Sequence, residues 1–225
     1  LAHLEQVFQA LSANKVLLKA SKCKIATSHV DFLGHTLTPQ GIAVDQRKVA
    51  AVQQWPRPGN VHDVRSFIGL VGFYRRFISG FSRLAAPLTE LTKANQPWYW
   101  ASEQQHAFES LKNALTSAPV LLVPDMDKPF HVFADASQQA IGAVLMQDQG
   151  RGLQPVAFES RKLSPAERNY PIHEIELLAV VNALKVWRCY LEGTQFYTNT
   201  DHQSLQYLMT QPHLSRRQAR WVEFL

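Results

Sequence analysis

The hydrophobic pattern changes period twice along this chain. Leu4, Val7, Phe8 and Leu11 recur at helical spacing. Val16-Leu17-Leu18, Lys24-Ile25-Ala26 and Val30-Asp31-Phe32-Leu33-Gly34-His35 read as short strands, and Thr38-Pro39-Gln40-Gly41 as a turn. From 45 to 118 the helical period dominates. Asp45 is placed to cap a helix carrying Val49, Val52 and Trp55 that stops at Pro56. Asn60, with Asp63 in the first turn, opens a second helix carrying Val64, Phe67, Ile68, Val71 and Tyr74. Leu84, Leu88 and Leu91 predict a third. Ser102 with Gln105 predicts a capping box for a fourth, with Ala107, Phe108, Leu111 and Leu115 as its apolar stripe. The preceding Trp98-Tyr99-Trp100 either fastens the start of that helix to the core or offers rings for base stacking.

Beyond 128 the pattern turns to strands: 129–136, 140–146 and 154–159, with Gln149-Gly150-Arg151-Gly152 as a hairpin loop. A long helix is expected over 171–191, with Gly193 at its C-terminus, then a strand over 195–200 and short helices near 203–210 and 215–225. Hairpin-linked strands followed by helix, strand and helices predict an α/β fold with a mixed sheet covered by helices.

Charge refines this division. Residues 1–44 hold four Lys and two acids, 45–95 hold eight Lys/Arg and three acids, and 96–225 hold eleven Lys/Arg and thirteen acids. The middle segment is thus basic, either a phosphate-facing surface or an ordinary solvated one. Cys23 and Cys189 are too few and too far apart for a disulfide framework or a zinc site, which fits a reducing compartment. No signal peptide and no membrane-spanning run is visible, and residues 1–44 begin in mid-pattern, as a piece of a longer chain would.

The candidate chemistry is acidic. Asp135 ends the first late strand, Asp201 ends the fourth, and an acid on a buried strand is costly unless paired or bound to metal. Between them the long helix aligns Glu176 with Val180, Ala183, Trp187 and Leu191, the face expected to pack on the sheet. Glu174 lies about 200° around the helix from Glu176, with Leu178 and Val181, so helical geometry separates the two only modestly. Converging carboxylates suit divalent cations with oxygen ligands. By spacing alone, three unrelated surface acids are the favoured reading over a converging site.

Several motifs together carry a resemblance. Asp135-Ala136-Ser137, Gly142-Ala143-Val144-Leu145, Ser160-Arg161-Lys162-Leu163, Asn169-Tyr170-Pro171-Ile172-His173-Glu174-Ile175-Glu176-Leu177-Leu178-Ala179 and Thr200-Asp201-His202-Gln203-Ser204-Leu205 resemble the RNase H domain of gypsy-type long-terminal-repeat retrotransposon polyproteins. Val30-Asp31-Phe32-Leu33-Gly34-His35 resembles the primer-grip end of the reverse transcriptase palm in that family, and 64–78 resembles the thumb. The resemblance implies a palm remnant over 1–44, a helical thumb or connection over 45–124 and an RNase H-like domain, C-terminally truncated, over 125–225.

It further implies that Asp135, Glu176 and Asp201 bind Mg²⁺ or Mn²⁺ and cleave the RNA strand of an RNA–DNA hybrid, with Glu176 as the ligand in preference to Glu174. Phe32, Leu33 and Gly34 would lie near the primer terminus, and Arg65, Arg75 and Arg76 would grip the backbone. His202 would assist product release or proton transfer, against the plainer role of capping the next helix. The expected partners are the hybrid and the rest of the polyprotein, namely polymerase palm and fingers and integrase. The expected location is an intracellular, cytoplasmic virus-like particle, with no membrane association.

Two departures bear on activity. There is no Asp-Asp dipeptide of the polymerase kind, so this stretch is not expected to polymerise by itself. The family's fourth nuclease acid has no counterpart either, Glu223 not being assigned to it. The alternative is therefore a non-catalytic nucleic-acid-binding fragment with an incomplete nuclease site.

Overall fold

The computed structural model describes residues 1–200 and 214–225. Helix α1 (Ala2–Ala13) buries none of its residues. Strands β1 (Val30–Phe32), β2 (His35–Thr38) and β3 (Gly41–Val44) form an antiparallel meander. The predicted strands at 16–18 and 24–26 do not form. That stretch is exposed and bends through left-handed backbone at Lys15 (φ 55°) and Ala26 (φ 53°), and no described segment pairs with it.

The helices start largely where their caps predict. Asp45 accepts from Arg47 N at 2.9 Å to open α2 (Gln46–Gln53), and Asn60 accepts from Asp63 N at 3.0 Å to open α3 (Val61–Phe73). Short helices α4 (Phe81–Leu84) and α5 (Ala86–Glu90) follow, then α6 (Ser102–Thr116). The start of α6 differs from expectation by one residue. Gln104 Oε1 accepts from Ala101 N at 3.1 Å, while Gln105 accepts from Trp100 Nε1 at 2.9 Å. Trp100 thereby presses edge-on to Phe108, ring centres 6.0 Å apart, so it fastens α6 to the core, whereas Tyr99 is exposed. Val44, Val52, Val64, Phe67, Val71, Tyr74, Phe77, Leu88, Phe108, Leu111 and Leu121 belong to one continuous core.

A second core lies under a four-stranded mixed sheet of order β6-β5-β4-β7, made of β4 (Phe130–Ala136), β5 (Ala140–Asp148), β6 (Leu153–Lys162) and β7 (Phe196–Asn199). β4, β5 and β6 are antiparallel neighbours, and β7 runs parallel to β4. The predicted long helix is two: α7 (Ile172–Val186) breaks at Trp187 before α8 (Arg188–Leu191). Trp187 and Leu191 nonetheless stay buried against the sheet core, as the helical face predicts. The opposite side of α7 is buried too, because Leu177 and Val181 meet Leu214, Trp221 and Val222 on or beside α9 (Arg216–Phe224). A helix covered on both sides is apolar nearly all round, which is why its stripe is weak in the sequence.

One extended segment joins the pieces. Ile42 and Leu121 exchange two backbone hydrogen bonds, of 2.7 and 2.8 Å, and Leu122 N donates to Pro155 O at 2.8 Å. Gly41 (φ 141°) is required there, since a Cβ at that position would sit 2.1 Å from the Leu121 carbonyl oxygen.

Candidate active site

The sheet sets the position of the first acid. On β4, Phe130, Val132 and Ala134 turn into the core, so by alternation Asp135 stands on the other face. Asp135 is exposed, not buried as its strand suggested, and makes no ion pair with any described residue. The corner after it is tied down by Ser137, whose hydroxyl donates to Ala140 O at 2.9 Å and accepts from Ala140 N at 3.1 Å. Asp135 opens into a cleft of about 200 Å³ walled by Phe133, Gly142 and Val144 of the sheet and, across from them, by Ser79, Gly80 and Arg83.

Glu176 lies on α7, which packs on β4 and β5, and it is buried. Its neighbour Glu174 is engaged elsewhere. Glu174 accepts from Ser215 Oγ at 2.8 Å and from Arg217 Nε at 2.8 Å, and the Arg217 guanidinium lies over the Tyr170 ring at 4.0 Å. Arg217 therefore serves to dock α9 and is not free to meet phosphate. Asp201 and His202 lie outside the described residues. β4 pairs with β7 so that Phe130 faces Phe196 and Phe133 faces Asn199, an offset of 66 positions. The same offset separates Asp135 from Asp201 in the sequence. Among the described residues no three metal-binding side chains converge. Asp135 and Glu176 are hard oxygen donors of the type Mg²⁺ takes.

The residues predicted to touch nucleic acid fall into two groups. Phe32 and Leu33 are exposed at the β1–β2 turn, where Leu33 (φ 48°) and Gly34 (φ 80°) both take left-handed backbone. A leucine is unusual there, where Asn or Asp is the common choice. Tyr74 fixes this turn by donating to Gly34 O at 2.7 Å, and His35 stacks on Phe73 with ring centres 5.3 Å apart. Burial, with Arg76 nearby, holds the His35 imidazole below its usual pKa.

The arginines are committed within the fold. Arg65 donates to Thr92 O at 3.0 Å. Arg75 bonds to Ser160 O and, at 3.4 Å, to Glu159, and Arg76 reaches Val156 O at 3.5 Å. Arg75 and Arg76 thus bind the helical part to β6, and Ser82 adds hydrogen bonds of 2.9 and 2.7 Å to Ser160. Sequence reasoning counted Arg83 only as part of a basic segment. Its place opposite Asp135 depends on a contact between remote parts of the chain, and no local pattern marks it.

Residues 100–198 match the family described as the RNase H-like domain found in reverse transcriptase. Over those residues this chain is similar to that family. It is 37% identical over 229 aligned residues to the Transposon Tf2-3 and Tf2-4 polyproteins of Schizosaccharomyces pombe, an alignment covering 99% of this chain and 17% of each polyprotein. The chain therefore spans about a sixth of the length of these relatives. The structure superposes on the foamy viral protease-reverse transcriptase in complex with dsDNA, with TM-score 0.83 and 25% identity, over 99% of this chain and 48% of that one. The corresponding dRH form in complex with dsDNA gives TM-score 0.84 and 25% identity, over 98% and 40%. The α/β fold, its mixed sheet and flanking helices, and the relation to retrotransposon reverse transcriptases agree with the expectation from sequence.

Proposed function

We propose that this segment belongs to a retroelement reverse transcriptase and that its RNase H-like domain hydrolyses the RNA strand of RNA–DNA hybrids. The observation that carries the reading is Asp135: an exposed carboxylate, without an ion-pair partner among the described residues, at the end of β4, beside a parallel strand whose 66-position offset is also its distance in sequence from Asp201. Glu176 is the third carboxylate of the proposed set, a choice over Glu174 that the engagement of Glu174 with Ser215 and Arg217 supports. Asp135, Glu176 and Asp201 would hold divalent cations, Mg²⁺ or Mn²⁺. Such ions, when bound, supply an activated water and stabilise the leaving oxygen of the phosphodiester.

The other contacts follow from the same reading. Phe32 and Leu33 present apolar surface toward the nucleic acid at a turn held by Tyr74, and His202 has an auxiliary part. Recognition would rest on backbone shape and 2′-hydroxyls. The foamy viral relatives in complex with dsDNA support a nucleic-acid duplex as the ligand. The proposed units are 1–44 as palm remnant, 45–124 as thumb or connection and 125–225 as nuclease domain. The polymerase, the further polyprotein domains and a cytoplasmic particle complete the proposed setting.

The test is hybrid cleavage by the 225-residue chain in Mg²⁺ or Mn²⁺, wild type against Asp135→Asn. Cleavage that disappears in the variant is the expected result. Cleavage that survives it refutes the site, and hybrid binding without cleavage in the wild type marks a binding fragment instead.

A further inference from the structure

Most arginine guanidiniums in the described residues have partners. Arg47 pairs with Asp45, Arg57 lies over Trp100, Arg161 is bidentate on Glu167, Arg188 pairs with Glu192, and Arg217 pairs with Glu174. Arg65, Arg75 and Arg76 hold carbonyls, and Arg220 bonds to Arg216 O. Four guanidiniums lack any such partner among the described residues: Arg83, Arg151, Arg168 and Arg216. Two of these four, Arg83 and Arg168, line a single groove.

That groove, of about 270 Å³, runs between the short helices α4 and α5 and the sheet end, with Gln139, Lys93 and Lys162 also in its walls. Two carboxylates line it: Glu90, which pairs with Lys93 and, at 3.3 Å, with Lys162, and Glu103. Arg83, Lys93, Lys162 and Arg168 outnumber them, so the groove keeps a net positive charge, carried by the two exposed arginines. Arg83 and Ala140 also line the cleft that holds Asp135, so the two hollows share a wall.

We infer that this groove is a phosphate-backbone seat for a nucleic-acid duplex, with Arg83 and Arg168 as its contacts. α4 contributes one guanidinium and the turn between β6 and α7 the other, so the seat exists only while the helical part and the sheet half are joined. A backbone lying in it passes Arg83 and meets Asp135 in the adjoining cleft. The seat would set where along a strand the carboxylates act, without reading bases. This inference rests on the hybrid-nuclease reading for its choice of ligand, but its test does not require cleavage.

The test uses the 225-residue chain and an RNA–DNA hybrid without divalent cation, with affinity measured across a salt series. Deleting one cationic side chain that meets a phosphate should flatten the log–log salt slope by about one. Arg83→Ala with Arg168→Ala together should flatten it by about two and weaken binding roughly tenfold to a hundredfold. Arg83→Lys with Arg168→Lys, keeping the charge, should restore most of the slope. Arg151→Ala with Arg216→Ala removes the same charge from exposed sites outside the groove and should leave the slope nearly unchanged. Equal losses from both alanine pairs, no loss from the groove pair, or no hybrid binding by the wild type would overturn the seat. Groove-dependent binding without cleavage would sink the nuclease reading and leave the seat standing. Asp135-dependent cleavage with an unchanged slope would do the reverse.

Discussion

Tyr74 donates a 2.7 Å hydrogen bond to the carbonyl of Gly34, tying the end of α3 to the tip of the β1–β2 turn. Tyr74 is buried, and the tip carries exposed Phe32 and Leu33, with Leu33 and Gly34 on left-handed backbone. Removing the hydroxyl in Tyr74→Phe keeps the ring packing and leaves the carbonyl to water. The expected cost is about 1 kcal/mol in urea unfolding. If the turn meets nucleic acid, hybrid affinity should fall by more than that stability loss explains.

His35 gives the same region a pH dependence. Its folded pKa lies below the unfolded value of about 6.5, because burial and Arg76 disfavour its charged form. The unfolded chain therefore binds the proton first as pH falls. Stability should be full above about pH 6.5, decline as pH drops from there toward the folded pKa, and then level off. His35→Phe should abolish this step in a pH series of thermal midpoints.

Glu174 and Glu176 are two residues apart and should respond to mutation in opposite ways. Arg217→Ala leaves Glu174 a buried charge held only by Ser215, so on the order of 2 kcal/mol or more should be lost as α9 loosens. Glu176→Gln should abolish metal-dependent cleavage while leaving the docking of α9 through Glu174 and Arg217 intact. Thermal melts and cleavage assays on the two variants separate docking from chemistry.

Gly41→Ala tests the joint between the small sheet and the rest. The new methyl would collide with the Leu121 carbonyl, which is backbone and has no rotamer to yield. A loss above about 2 kcal/mol is expected, with both Ile42–Leu121 hydrogen bonds disturbed. Hydrogen exchange at the Ile42 and Leu121 amides would report it directly.

Glu167 supplies an acid-side transition. Arg161 and the Ser164 amide hold its carboxyl at about 2. The stabilisation is present above the unfolded value near 4.5 and disappears as pH falls through about 2. The pair is partly screened by water, so its contribution is on the order of 1 kcal/mol. Glu167→Gln should show this loss at neutral pH and almost none near pH 2.

The sequence was most legible where local chemistry decides structure. Asp45 and Asn60 mark their helix starts because a cap needs only the next turn, and β4, β5 and β6 follow from alternation and turn residues. Val16-Leu17-Leu18 misled because its apolar residues find no strand to pair with, and pairing is not encoded in one strand alone. Arg75 and Arg76 looked like a phosphate grip because only the fold reveals that β6 carbonyls accept their hydrogen bonds. Glu174 and Glu176 could not be told apart by helical geometry, since α9 makes both sides of α7 interior. The resemblance chose between them, and the bonds from Ser215 and Arg217 supply a physical reason for that choice.

The bonds that Arg75, Arg76 and Ser82 make with β6 have a practical consequence. In the strand order β6 has a neighbour on one side only, and it is ten residues long. Its other flank is closed by the helices that supply those donors. Excising the nuclease-like half near residue 124 for separate expression would lay that flank bare, with Phe158 beside it. An uncovered edge of this kind recruits other chains. A soluble excerpt should therefore begin upstream of α3, and self-association of shorter pieces would reflect the cut and not the native molecule.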